Sequence, residues 1–197
     1  MKNQAFSADK VRRLTLAAML TAIVFVLQLL GSMIKLGIFS TASLVLVPIV
    51  VGAALLGWQY GAWLGFVFAA AVLMSGDAAP FLAITVFGTF VTVILKGVLA
   101  GGFSGLTYSF LCKNHPVLSV FAAAVVCPVV NTGVFLICCR VFFWQKLIEW
   151  AAAANAPSAA AYAVFTLAGV NFMLELCLSV ALAPVTVRLI RYRKQNG

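Results

Sequence analysis

The sequence predicts an all-α integral membrane protein with six transmembrane helices and both termini in the cytoplasm. Of its 197 residues, 64% are hydrophobic and 9% are charged, whereas soluble domains carry about 45–50% apolar and about 25% charged residues. The basic residues lie at the ends of long apolar runs. A net charge of +9 distributed in this way indicates membrane orientation rather than nucleic-acid binding. We expect a single membrane domain over residues 1–197.

Six apolar segments are candidate membrane spans. A bilayer core about 30 Å thick requires about 20 helical residues. The second segment contains Pro48, and the third lies between Gly57 and Gly76, so these two have the least defined boundaries. The predicted spans are residues 14–31, 41–57, 61–75, 81–101, 117–139 and 162–187.

Most basic residues fall on one side of this six-span arrangement. Cytoplasmic loops are enriched in Lys and Arg, so this side is predicted to be cytoplasmic. An odd number of spans would place one terminus outside and remove the asymmetry. The basic residues on this side are Lys2, Lys10, Arg12, Arg13, Lys113, Arg188, Arg191, Arg193 and Lys194.

Small residues at four-residue spacing predict surfaces where helices pack closely. Two glycine runs, Gly57/Gly61/Gly65 and Gly97/Gly101/Gly105, are expected to pack within the chain. Ala18 and Ala22 in the first span either pack within the chain or contact a partner helix, and the sequence leaves both readings open.

Polar side chains within the last two spans are the main candidates for a binding site, because such groups are costly inside a bilayer. Glu175 and Asn171 lie one helical turn apart in the sixth span, and Asn131 follows Pro128 in the fifth. We expect a polar pocket between these spans, open to the outside, with Arg140 at its outer edge. The structural alternative is a hydrogen bond between Asn131 and either Asn171 or Glu175.

The segment Ser32–Thr41 joins the first two spans on the outer side and is apolar for a loop. We expect it to form a lid over the pocket, with Lys35, Phe39 and Thr41 as candidate substrate-binding residues, although an interfacial helix fragment is the alternative. Lys96 in the fourth span is expected to extend its ammonium group to the cytoplasmic surface.

Several catalytic and nucleotide-binding motifs are missing from the sequence. It contains no phosphate-binding G-x-x-x-x-G-K-[ST] loop and no H-E-x-x-H motif. We therefore predict no catalytic residues, no metal site and no cofactor. The alternatives from other functional classes are a small intramembrane enzyme that uses Glu175 and Asp77, and an accessory subunit of a larger membrane complex.

The chain resembles the substrate-binding (S) component of an energy-coupling factor (ECF) vitamin transporter. The resemblance covers nearly the whole length and depends on several motifs in order together with the six spans. The matching segments are RLTLAAMLTA at 13–22, PIVVGAALLGWQYGAWLG at 48–65, LKGVLAG at 95–101, PVVNTG at 128–133 and NFMLE at 171–175.

This resemblance implies a multi-pass protein of the bacterial cell membrane that binds a vitamin from outside and hydrolyses no ATP itself. It implies docking through Ala18 and Ala22 on a transmembrane coupling (T) subunit driven by two ATP-binding subunits. Within the family, a pantothenate-like small acid is the leading expectation, because Arg140 could pair with a carboxylate. Glu175 opposes this expectation, since a second carboxylate would repel such a ligand.

Overall fold

The fold is described by a computed structural model that covers residues 2–33, 35–36, 39–40 and 44–195, with side chains over 10–33 and 44–192. These residues are almost entirely helical, which confirms the all-α membrane class. The elements are α1 (Lys2–Met33), β1 (Lys35–Leu36), β2 (Phe39–Ser40), α2 (Leu46–Leu56), α3 (Trp58–Ser75), α4 (Ala79–Leu82), α5 (Val86–Leu111), α6 (Pro116–Phe142), α7 (Trp144–Ala153), α8 (Ala159–Ala161), a π-helix (Tyr162–Gly169) and α9 (Val170–Gln195).

Within the described residues, five helices are long and apolar enough to cross a membrane. They are Lys10–Met33, Trp58–Ser75, Val86–Leu111, Pro116–Phe142 and Ala159–Tyr192. The predicted second span, 41–57, is represented by α2, whose 11 residues extend about 16 Å and so cross only part of a bilayer core. Its predicted start at 41–43 lies outside the described residues.

The short helix α2 lies at the centre of the fold. It packs against α1, α3, α5, α6 and α9, and Leu46 and Ile49 are almost completely buried. A single residue, Gly57, separates α2 from α3 and adopts φ 107°, a conformation that favours glycine. Five longer helices therefore surround the short helix α2.

The predicted fourth span, 81–101, is displaced along the chain in the structure. Ala79–Leu82 forms the separate short helix α4, and the long helix α5 begins at Val86 and ends at Leu111. The sequence interpretation placed the end of the span at the glycine run, but these glycines lie in the middle of a continuous helix. The shift moves Lys96 to ten residues, about 15 Å, from the outer end of its helix.

The glycine runs meet where Gly61 and Gly65 of α3 face Gly101 and Gly97 of α5, which confirms close packing within the chain for these four residues. A Cβ on Gly65 or Gly97 would overlap the backbone carbonyl oxygen of the other, and Gly61 and Gly101 stand in the same relation. The two helix backbones are therefore in direct contact. This close approach also places Phe68 of α3 next to Lys96 of α5.

Candidate functional site

The first polar contact inside the helical bundle joins α1 to the turn after α3. The side-chain amide Nε2 of Gln28 donates a hydrogen bond to Asp77 Oδ2 at 2.9 Å, and the Ser75 hydroxyl donates to the same oxygen at 3.1 Å. Gln28 is 1% exposed. Asp77 is therefore held by protein groups, and Gln28 is a member of the site that the sequence interpretation missed. The sequence did contain an indication of this residue, because Gln28 is an amide side chain within an apolar span.

The second contact joins α6 to α9. Asn131 Nδ2 donates a hydrogen bond to Glu175 Oε2 at 3.2 Å, so the pairing that the sequence offered as a structural alternative is formed. Asn131 is 4% exposed. Pro128, one turn before Asn131, lies inside α6 without ending it.

Lys96 lies between these two contacts. Its Nζ is 5.7 Å from the ring centroid of Phe68 and 5.5 Å from that of Phe135, and it is within electrostatic range of Glu175 and Asp77. The expectation that Lys96 extends to the cytoplasmic surface is therefore wrong. Its place in the outer part of α5, next to the contact between Gly65 and Gly97, directs the ammonium group into the bundle.

Five residues from five segments thus form one charged and polar group inside the fold, which we call the polar cluster. Two hydrogen-bonded amide–carboxylate pairs lie there within electrostatic range of one ammonium group, and such groups are costly in the interior of a membrane protein. The polar cluster consists of Gln28, Asp77, Lys96, Asn131 and Glu175.

Three buried polar atoms in this region have no hydrogen-bond partner among the described residues. They are the amide oxygens Gln28 Oε1 and Asn131 Oδ1, and the hydroxyl of Ser179, one turn after Glu175. Buried polar groups in proteins are almost always paired, and an unpaired one costs about 1–3 kcal/mol. The polar cluster is therefore only partly satisfied by its own members.

Aromatic rings lie next to the polar cluster, in an arrangement that we call the aromatic cluster. The Phe81 ring of α4 is in edge-on contact with Phe135, Phe143 and Trp150, with centroid distances of 5.6, 5.0 and 5.8 Å. Phe135 also faces Lys96. The aromatic cluster thus joins α4, α6 and α7 directly next to the ammonium group.

Two predicted site residues lie apart from the polar cluster. Asn171 is exposed, and the amide that pairs with Glu175 is Asn131 instead. Arg140 is exposed, and its guanidinium lies 4.2 Å from the ring centroid of Trp144. Because Arg140 is nine residues after Asn131 on α6, it lies about 13 Å further along the helix.

The expected polar pocket between the fifth and sixth spans has a different character in the structure. An open cavity of about 740 Å³ lies between α6, the π-helix and α9, but its lining is mainly apolar and includes Val129, Leu136, Phe165 and Met173. Asn131 and Glu175 face the polar cluster. Asn131 and Glu175 are thus brought together inside the bundle. The cavity between α6 and α9 is lined mainly by other, apolar residues.

The predicted lid, Ser32–Thr41, contains a short β-ladder in its described part. Lys35 pairs with Ser40 and Leu36 with Phe39, antiparallel, and β2 lies against α9. The side chains of Lys35 and Phe39 and the whole of Thr41 lie outside the described residues. The residues Lys35–Leu36 and Phe39–Ser40 therefore form strands and not the interfacial helix fragment that was the alternative.

Ala18 and Ala22 are both exposed on α1, whereas their neighbour Ala17 is 6% exposed. The two alanines lie one turn apart on a face that also exposes Leu14 and Met19. Small side chains on an exposed helix face allow a second helix to approach closely.

The comparisons with known proteins identify the family of the chain. A family model described as "ECF transporter, substrate-specific component" matches residues 12–187, a range that contains the whole polar cluster. Searches of curated proteins and of solved structures found no match. Because the family match covers most of the sequence, the chain belongs to the family of substrate-specific components of ECF transporters.

Proposed function

We propose that this chain binds a small water-soluble vitamin or vitamin precursor at the polar cluster and delivers it for uptake. The observation that carries the proposal is the set of unpaired, nearly fully buried polar atoms beside Lys96, Asp77 and Glu175. A bound small molecule with several polar groups would pair with them. The aromatic cluster next to Lys96 supplies apolar surface, as in most small-molecule sites.

Entry of the ligand requires the outer segments to move. Gln28 and Asn131 are 1% and 4% exposed, so the two amides are inaccessible to a ligand in the described state. In this proposal the segment Ser32–Thr41 is the lid, with Lys35, Phe39 and Thr41 as its candidate substrate-binding residues. Its strand β2 lies against α9.

Removing an amide of the polar cluster is expected to abolish ligand binding. Protein purified without partner subunits should carry a small molecule detectable by mass spectrometry, and Asn131→Ala should lose it, since both polar atoms of this side chain face the site. Asn171→Ala is the matched control, because this amide is exposed on α9. Gel filtration should show both variants folded.

Either of two results would contradict this proposal. One is a wild-type preparation that carries no small molecule and binds no added vitamin. The other is Asn131→Ala retaining the molecule as fully as Asn171→Ala does, which would leave the buried amide with a packing role alone.

Delivery would occur by docking on a transmembrane coupling subunit that works with two ATP-binding subunits. The exposed pair Ala18 and Ala22 supports α1 as the docking face. Transport belongs to the assembled complex, while ligand binding belongs to this chain. The two activities can therefore be separated by substitution.

Ala18→Leu is expected to abolish uptake by the complete transporter and to leave ligand binding unchanged. The larger side chain would hold the partner helix away from α1. Ala181→Leu, at an exposed alanine of α9, is the matched control and should preserve both activities. Uptake by Ala18→Leu at the wild-type rate would exclude docking at this face, and loss of binding would indicate that Ala18 stabilises the chain itself.

The expectation of a pantothenate-like acid stays a prediction. It depends on Arg140 pairing with a carboxylate, whereas this guanidinium lies over Trp144. Within the polar cluster the cation available to an acidic ligand is Lys96, which is already within electrostatic range of the carboxylates of Glu175 and Asp77.

A further inference from the structure

In each of the two amides of the polar cluster, the neighbouring carboxylate determines whether the oxygen or the NH₂ group faces it. An ionised carboxylate only accepts hydrogen bonds, so an amide that contacts it in this form presents its NH₂ group. Gln28 presents Nε2 to Asp77, and Asn131 presents Nδ2 to Glu175. The carbonyl oxygens of both amides are therefore turned away from the carboxylates, and these are the oxygens that remain unpaired.

We propose that the bound molecule acts as a hydrogen-bond donor, with N–H or O–H groups directed at Gln28 Oε1 and Asn131 Oδ1. This inference rests on the proposed function and narrows its ligand to an uncharged or cationic molecule rich in such groups. An unpaired amide oxygen can be satisfied only by a donor. A ligand carboxylate placed at either oxygen would meet a second acceptor.

The charges of the polar cluster favour the same class of ligand. Its members carry two carboxyl groups and one amino group, so the formal charges at the site sum to −1 when all three are ionised. An anionic ligand would add a third negative group in a buried environment, where unpaired charges are expensive. A neutral or positively charged ligand avoids this repulsion.

Asp77 and Glu175 are then positioning residues. Each fixes the orientation of one amide and thereby determines that the amide presents an acceptor to the ligand. Replacing Glu175 by glutamine would remove this constraint, because a glutamine side chain can donate to Asn131 as well as accept from it. Asn131 could then present its NH₂ group to the ligand.

The test compares matched compounds that differ by a carboxylate. The three pairs are pantothenate with pantothenol, nicotinate with nicotinamide, and biotin with biotinamide. Binding to the purified full chain is measured by titration calorimetry. In any pair that binds, the neutral member is expected to bind about tenfold tighter or more, the effect of one buried hydrogen bond.

Glu175→Gln should shift this preference toward the carboxylate member of the pair. Glu149→Gln is the control, since Glu149 is exposed on α7 and pairs with Lys146. A purely structural role of Glu175 would weaken both members equally and leave their ratio unchanged. The ratio of the affinities for the two members of a pair therefore distinguishes a positioning role of Glu175 from a purely structural one.

The results of this test distinguish a failure of the present inference from a failure of the proposed function. A carboxylate member that binds as tightly as its neutral partner, or more tightly, would overturn this inference and leave the proposed function intact. If none of the six compounds binds, the copurified molecule decides, and an anion without N–H or O–H groups overturns the inference. The absence of both binding and a copurified molecule would overturn the proposed function itself.

Discussion

Gly101→Ala is expected to lower the free energy of unfolding by about 1–3 kcal/mol, the cost of overfilling a packed interface. A Cβ at this position would overlap the carbonyl oxygen of Gly61 on α3. Backbone cannot rotate away as a side chain can, so α3 and α5 would have to separate. The apparent melting temperature of the protein in detergent measures the effect, and we expect it to fall by several degrees.

The neighbouring Gly102 provides a control on the same helix. A Cβ there would lie 3.8 Å from Ala62 Cβ, an ordinary contact, and alanine favours a helix over glycine by about 1 kcal/mol. Gly102→Ala should therefore be neutral or slightly stabilising. If the two variants melted at the same temperature, α3 and α5 would not be in backbone contact.

Lys96→Met is expected to destabilise the protein by about 2–3 kcal/mol, somewhat less than breaking a direct buried ion pair. Methionine retains most of the length of lysine but leaves the carboxylates of Asp77 and Glu175 without their cation. The variant should also lose its copurified ligand, because the charge balance of the polar cluster changes. Thermal unfolding and mass spectrometry measure the two effects.

A second substitution tests whether these charges act together. Glu175→Gln added to Lys96→Met removes one of the uncompensated carboxylates, so the double variant should recover part of the lost stability. Lys113→Met, at an exposed position in the turn before α6, should leave stability unchanged. If Lys96→Met is as stable as Lys113→Met, the ammonium group reaches water and does not balance the half-buried carboxylates of Asp77 and Glu175.

Much of the site could be predicted from residue type alone. Glu175 and Asn131 are polar groups inside apolar spans, and the cost of burying them marked both residues as members of a site. The same argument applies to Gln28, which the sequence interpretation overlooked. Asn171 shows the limit of this reasoning, because helical spacing relates it to Glu175 without showing which of them faces the interior.

Lys96 shows a different limit. Its side chain is long enough to reach either a membrane surface or the interior, and the choice depended on where its helix begins. The glycine run resembled the end of a span, so the predicted helix was displaced relative to Val86–Leu111. Composition cannot distinguish a glycine that ends a helix from one that contacts a neighbouring backbone.

The sequence by itself determined the membrane class, the close packing of the glycine runs and the resemblance to a transporter family, because these depend on composition, spacing and motif order. Only the tertiary structure decided which polar groups meet. The contacts of Gln28 with Asp77 and of Asn131 with Glu175 join residues 49 and 44 positions apart in the chain. Such contacts depend on how each helix is rotated about its axis, and packing against all of its neighbours fixes that rotation.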